Sequence, residues 1–173
     1  MLPGDIALLP DAGPLITLAY ADALDVLFAP GWTVMLVDMV LHEVTRNRTP
    51  TSDKLAQWAK RNTLRVLPTR TCGQYANNPA ARKAHLGEQA IQEVMSEFAL
   101  ASPPQTGVFL FEDHKIARAC FLLPDNCRKI STRAFLQFLE LKTWIPSANE
   151  IEQRAIRAGR AFSPLHFPEA NAF

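Results

Sequence analysis

Two hydrophobic rhythms run along this chain. Short, largely apolar runs lie at 5–11 ("DIALLPD"), 32–38 ("WTVMLVD") and 106–113 ("TGVFLFED"), with a more mixed strand or extended piece at 64–69 ("LRVLPT") and a last, shorter one at 127–131 ("CRKIS"). Their length and their content of β-branched and aromatic residues mark them as strands, the first of them buried. Between them, apolar residues return every three or four positions. The segment 13–28 spaces Leu15, Leu18, Ala19, Leu24 and Leu27 in this way, with Pro14 in the first turn, where a missing N–H is harmless. Leu55, Trp58 and Ala59 share one face of 51–63, which makes Trp58 a core residue first and a stacking candidate second. Ile91, Val94, Met95 and Phe98 form a stripe along 87–101, and Phe135, Phe138 and Leu139 another along 132–144. Shorter helices are expected at 39–47 and 114–123, and a last one at 147–161, opened by the Ser147/Glu150 capping pair. Gly73, Asn77, Asn78 and Pro79 mark 70–80 as a loop, with Asn78 capping a turn that resumes the helix, and the tail after Ala161 reads as irregular. Strands alternating with helices predict an α/β domain with a mostly parallel five-stranded sheet, because parallel neighbours need crossover connections.

Composition narrows this picture. At 173 residues the chain fits one domain, with 1–145 as its body and 146–173 as a C-terminal helix and tail packed on it. Hydrophobic residues make up 48% and charged residues 20%, an ordinary globular balance. No apolar run reaches the length of a membrane span, so no membrane association is expected. The N-terminus lacks a basic segment, and Asp5 and Asp11 interrupt it, which argues against a signal peptide. Cys72, Cys120 and Cys127 have no metal-ligand or CxxC spacing and read as free thiols of a reducing, cytoplasmic compartment. Glycine is scarce, at seven residues, and no phosphate-cradling glycine motif is present.

Candidate chemistry comes from where the acids fall. Asp11 closes the first strand, Glu43 lies about one turn into the helix after the second, Glu88 opens the helix before the fourth, and Glu112 and Asp113 close that fourth strand. In a parallel sheet all five are expected at the carboxyl edge, where ligands of such sheets bind. The positions are roughly 30, 45 and 25 residues apart, so no local charge pattern explains the convergence. Each acid alone also has a structural reading. Asp11, Asp38 and Asp113 each precede a helix and suit an N-cap, Glu88 suits a helix dipole, and Glu43 suits a solvated face. Together the acids repel one another unless cations sit among them. Oxygen ligands without paired His or Cys favour Mg²⁺ or Mn²⁺.

These residues resemble the PIN domains, compact α/β ribonucleases that include the VapC-like toxins of bacterial toxin–antitoxin pairs. "PDAGPLITLAYAD" is similar to the family's opening acid motif, "VDMVLHEVT" to its second, "LGEQAI" to its third, and "VFLFEDHKIAR" to its fourth. "KISTRAFLQFL" is similar to its closing strand and helix. The resemblance covers about residues 5–143. It implies a three-layer α/β/α fold and Mg²⁺- or Mn²⁺-dependent cleavage of RNA phosphodiesters. Asp11, Glu43, Glu88 and Asp113 would be the catalytic acids, with Asp11 and Asp113 the foremost metal ligands and Glu43, Glu88 and Glu112 beside them. A toxin role would bring a small antitoxin as partner. The chain departs from the family pattern at Ala12 and Gly13, where a hydroxyl or amide residue often follows the first acid, with Thr17 one turn later. It departs again at Phe111, where the fourth motif commonly has Ser or Thr.

Charge adds one more feature. Between Val44 and Gly87 lie Arg46, Arg48, Lys54, Lys60, Arg61, Arg65, Arg70, Arg82 and Lys83 against a single acid, Asp53. A basic arm beside an acidic pocket suits RNA phosphates, with Tyr75 or Trp58 available to stack on bases. It also suits an acidic partner protein, or simply a solvated surface. Exposed parts of the 132–144 helix, with the first or last helix, offer a homodimer face. Two competing readings stay open: a catalytically silent PIN-like module that binds RNA or protein, and more weakly a phosphatase- or receiver-like domain.

Overall fold

A computed structural model of the chain describes residues 6–80, 85–112, 115 and 123–161. Five strands form one all-parallel sheet in the order β3-β2-β1-β4-β5: β1 (Ile6–Pro10), β2 (Thr33–Val37), β3 (Arg65–Leu67), β4 (Thr106–Phe111) and β5 (Cys127–Ser131). Seven α-helices flank it among the described residues: α1 (Ala12–Tyr20), α2 (Asp38–Thr45), α3 (Ser52–Arg61), α4 (Arg70–Asn77), α5 (Leu86–Leu100), α6 (Thr132–Leu141) and α7 (Ala148–Arg157). The result is a three-layer α/β/α arrangement, with the sheet fully rather than mostly parallel. The central strands are covered on both faces and are apolar almost throughout, as parallel strands must be. The two edge strands carry Arg65, Arg128 and Lys129, charges that discourage pairing with another chain.

One cover of the sheet consists of α5, which crosses β2, β4 and β5 and packs on α2 and α4. On the other side α1 packs against β4 and α7, and α7 against α6. An Arg133–Glu152 ion pair ties α6 to α7. The helix α2 touches α1 as well as α5 and so links both covers near the carboxyl edge of the sheet. Phe109, Phe111 and Phe135 are the bulkiest of the fully buried side chains between the layers.

Three expectations need correction. The helix expected over 13–28 is interrupted. It stops at Tyr20, Asp22 takes a left-handed backbone (φ 51°), and a separate 3₁₀ turn follows over Leu24–Phe28. The break lets Asp22 and Asp25 meet Lys54, Trp58 and Arg61 of α3. The segment 70–80 contains α4 rather than being a loop throughout. Gly73 costs a helix about 1 kcal/mol, but Thr69 caps the first turn by accepting from the Cys72 N–H. The Glu93 carboxylate accepts from the Arg70 and Thr71 N–H groups as well. No residue of α4 is buried, so it left no apolar stripe to read. Finally, only half of the Ser147/Glu150 capping box is made: Ser147 accepts from the Glu150 N–H, while the Glu150 carboxylate pairs with Arg157. The helix expected at 114–123 and the tail after Ala161 lie essentially outside the described residues.

Two substitutions separate core from cap. Phe135→Ala should lower the unfolding free energy by about 3–5 kcal/mol. Ser131→Ala removes the hydroxyl that accepts from the Ala134 N–H and caps α6, and should cost about 1 kcal/mol. Urea unfolding at constant m-value measures both.

Candidate active site at the carboxyl edge of the sheet

Sheet register brings the site together. Pro10 is level with Leu110 across β1 and β4, and Phe111 with Ser131 across β4 and β5. The next residue of each strand, Asp11, Glu112 and Thr132, therefore emerges at one edge. The Asp11 N–H extends the ladder by one more bond to the Leu110 carbonyl (2.8 Å). Asp11 occupies the N-cap position of α1 but makes no side-chain cap bond. It is fully buried, and its carboxylate is used otherwise.

Asp11 Oδ2 accepts from the Lys115 ammonium at 2.7 Å, while Oδ1 is buried without a hydrogen-bond partner among the described residues. The same ammonium lies 3.5 Å from Glu88 Oε1. Burial pushes Lys115 down, but the charges of Asp11, Glu88 and Glu43 more than offset it and hold the ammonium above its usual pKa. Glu43 reaches the group from α2. Its Oε1 accepts from the Gly87 N–H at 3.0 Å, next to Glu88 at the start of α5. Burial raises the Glu43 pKa first and Asp11 raises it further, against weaker opposition from Gly87, Lys115 and Arg46. His85 stands 3.4 Å from the other Glu88 oxygen. Asp11, Glu43 and Glu88, distant in sequence, thus surround one cationic side chain.

Glu112 belongs to a second group on the same edge. It is buried, accepts from the Thr17 hydroxyl at 2.7 Å, and lies 3.8 Å from the Arg160 guanidinium. Arg160 also donates to the Thr17 oxygen at 2.9 Å, which ties the chain after α7 to α1. Thr17, one turn after the Ala12 and Gly13 that follow Asp11, gives its hydroxyl to Glu112.

The glycines of the first and third motifs have a spatial reason. A Cβ on Gly13 would stand 2.4 Å from Glu112 Cγ, and one on Gly87 would stand 2.7 Å from Glu43 Oε2. Each glycine lets a carboxylate side chain lie against the opening turn of a helix. Asp38, weighed as a cap, is the first residue of α2. It binds the Met39 N–H and, across to the neighbouring strand end, the Thr69 N–H and hydroxyl, each at 2.7–2.8 Å. It locks β2 to the start of α4.

Asp113 lies outside the described residues, as do His114, Arg82 and Lys83. Among the described residues, no three His, Cys, Asp or Glu side chains converge closely enough to hold a metal ion. Of the basic arm, Arg46 is electrostatically coupled to Glu43, and Arg48 and Lys60 are exposed. Lys54 and Arg61 instead pair with Asp22 and Asp25 beyond the far end of α1. That is about 13 Å or more from Asp11, given nine residues at 1.5 Å each. Trp58 is buried and donates to Asp25, as its shared face with Leu55 indicated. Tyr75 leans on the His42 ring at 5.2 Å. Lys115, Arg160 and the two glycines escaped sequence reasoning. Lys115 did leave a signal: it is the first Lys or Arg after Lys83, closing a stretch that holds five acids.

No protein-family model, curated protein or solved structure matches this chain. No helix among the described residues is long and apolar enough to cross a membrane.

Glu43 generates a pH prediction. A carboxyl group whose folded pKa is raised binds protons more tightly in the folded state. Stability therefore falls as pH rises from the ordinary value of 4.5 through the raised one. Glu43→Gln keeps an acceptor for Gly87 and sheds that penalty. It should be at least as stable as wild type at pH 7, with the difference closing below pH ~4, in thermal unfolding across pH. Gly87→Ala displaces only the carboxylate end of Glu43, so it should cost no more than about 1 kcal/mol, the loss of the bond to the Gly87 N–H, and the absence of that loss when Glu43→Ala is already present tests the contact.

Proposed function

We propose that the chain is a PIN-type, divalent-metal-dependent ribonuclease whose site is the carboxyl-edge cluster of Asp11, Glu43 and Glu88. The observation that carries this reading is the fully buried Asp11 carboxylate. It ends the central strand with one oxygen on an ammonium and the other without a hydrogen-bond partner among the described residues. Burying a carboxylate with a spare oxygen is costly, and a cation-binding role accounts for it. The donors fit Mg²⁺ or Mn²⁺ in kind, since they are carboxylate oxygens without paired His or Cys.

In this reading Asp11 would hold the ion directly, Glu43 and Glu88 would reach it directly or through water, and Asp113 is the further direct ligand that the family resemblance implies. When bound, such an ion lowers the pKa of water and neutralises phosphoryl oxygens. The rest falls to the chain. The rigid β1 strand fixes Asp11, and Gly87 aligns Glu43 through its N–H. Arg46, the basic-arm residue coupled to Glu43, attracts the RNA backbone towards the acids. Lys54 and Arg61, engaged elsewhere, contribute less. Glu112 serves chiefly to anchor Thr17 and Arg160. The cytoplasmic setting belongs to the same proposal, with Cys72 and Cys127 as free thiols. So does a toxin role with a small antitoxin, which rests on the resemblance and is tested by the gene next to this one.

A second reading, a catalytically silent module that binds RNA or protein, is favoured by the Asp11–Lys115 pair, because a lysine already supplies a cation to the acids. Cleavage of RNA separates the two. Under the nuclease reading, Asp11→Asn and Asp113→Asn retain the fold and lose more activity than the roughly 10- to 100-fold that follows loss of a metal ligand's outer partner. EDTA abolishes cleavage and Mn²⁺ restores it. Cleavage indifferent to all three treatments sinks the nuclease reading; salt-sensitive RNA binding without cleavage supports the silent module.

A further inference from the structure

The three carboxylates of the cluster carry three negative charges when ionised, and one ammonium stands among them. Lys115 Nζ lies 2.7 Å from Asp11 Oδ2 and 3.5 Å from Glu88 Oε1, with Glu43 within electrostatic reach. Arg46 acts on Glu43 and His85 faces Glu88, but Lys115 is the cation on Asp11, and among the described residues Asp11 Oδ1 is buried with no hydrogen-bond partner. The lysine enters from the turn after β4, where its own N–H is held by the Glu112 carbonyl at 3.0 Å. Its four-carbon stem is flexible and its head is a compact, readily hydrated charge. It can leave the acids by rotating about side-chain bonds while the backbone anchor stays in place. Its side chain is 29% exposed, so the route to water is short.

We propose that Lys115 is a built-in counter-ion of the acid cluster: its ammonium occupies the position of a cation among Asp11, Glu43 and Glu88 and is displaced by a divalent metal ion. The proposal deepens the nuclease reading and rests on it. The metal-free chain then has a site whose buried Asp11 charge is already paired. Entry of the metal costs the rupture of an ion pair, so the lysine sets the metal concentration at which the site fills. An arginine is a poorer substitute for this exchange, because its fork binds a carboxylate with two donors and holds more firmly.

Mn²⁺ binding tests this without recourse to activity. Free Mn²⁺ is followed by electron paramagnetic resonance in titrations of wild type, Lys115→Met and Lys115→Arg. Lys115→Met should bind Mn²⁺ at least tenfold more tightly than wild type, and Lys115→Arg no more tightly than wild type. A second measurement uses the wild-type chain alone and decides the matter if Lys115→Met does not fold. Acylation of lysine amines, read by mass spectrometry, should be slow at Lys115 without metal and several-fold faster in saturating Mg²⁺, while the exposed Lys60 is unchanged. Equal Mn²⁺ affinity in the three chains, weaker binding by Lys115→Met, or Lys115 labelling unmoved by Mg²⁺ overturns the counter-ion role and leaves the metal site standing. No saturable Mn²⁺ binding in any chain overturns both.

Discussion

The burial of the Asp11 charge is the constraint on which the carboxyl edge of this fold depends. An ionised carboxylate withdrawn from water is tolerated only with a partner, and removing one member of such a buried pair costs on the order of 3–5 kcal/mol. Lys115 is that partner, 104 positions along the chain. For the pair to form, β1 and β4 must be neighbours in register and Lys115 must sit against the strand end, where its N–H meets the Glu112 carbonyl. The pair therefore fixes more than a charge. It links the end of β1, the start of α5 through Glu88 and the turn after β4 in one place.

Around this pair the edge divides into three locks with separate duties. Asp38 joins β2 to α4 through Thr69. Glu112 joins α1 to the segment after α7 through Thr17 and Arg160. Asp11, Glu43 and Glu88 gather about Lys115. The first two acids are met by hydroxyl and backbone donors or by a guanidinium and serve construction. Among the described residues, only the third group holds a buried carboxylate oxygen that has no hydrogen-bond partner, which is why the functional reading falls there.

Much of the fold was legible in the sequence, for a physical reason. Parallel strands must be apolar throughout, and helices that cover them must carry a stripe, so β1, β2, β4, α5 and α6 announce themselves. The helix α4 was not legible because nothing of it is buried; it is held by Thr69 and by Glu93 from α5. The break after Tyr20 was not legible either, since its apolar spacing continues through the turn while the cause lies in α3. The acids at 11, 43 and 88 could be read as a group from their place after strands and before helices. Their partner could not, because a lysine after a strand has many ordinary uses. Nor could the diversion of Glu112, which depends on Arg160 arriving from the far end of the chain.

The close approach of two carboxylates to Gly13 and Gly87 has a consequence for how this chain can vary. In each pair, one position lacks a side chain because the other has a long one, and the two share a single allotment of space. Residues 13 and 112, and likewise 87 and 43, are therefore not independent letters. A bulkier residue at 13 is compatible only with a shorter side chain at 112, so drift there is confined to joint steps, whereas a bulkier residue at 87 asks only that the Glu43 carboxylate turn aside.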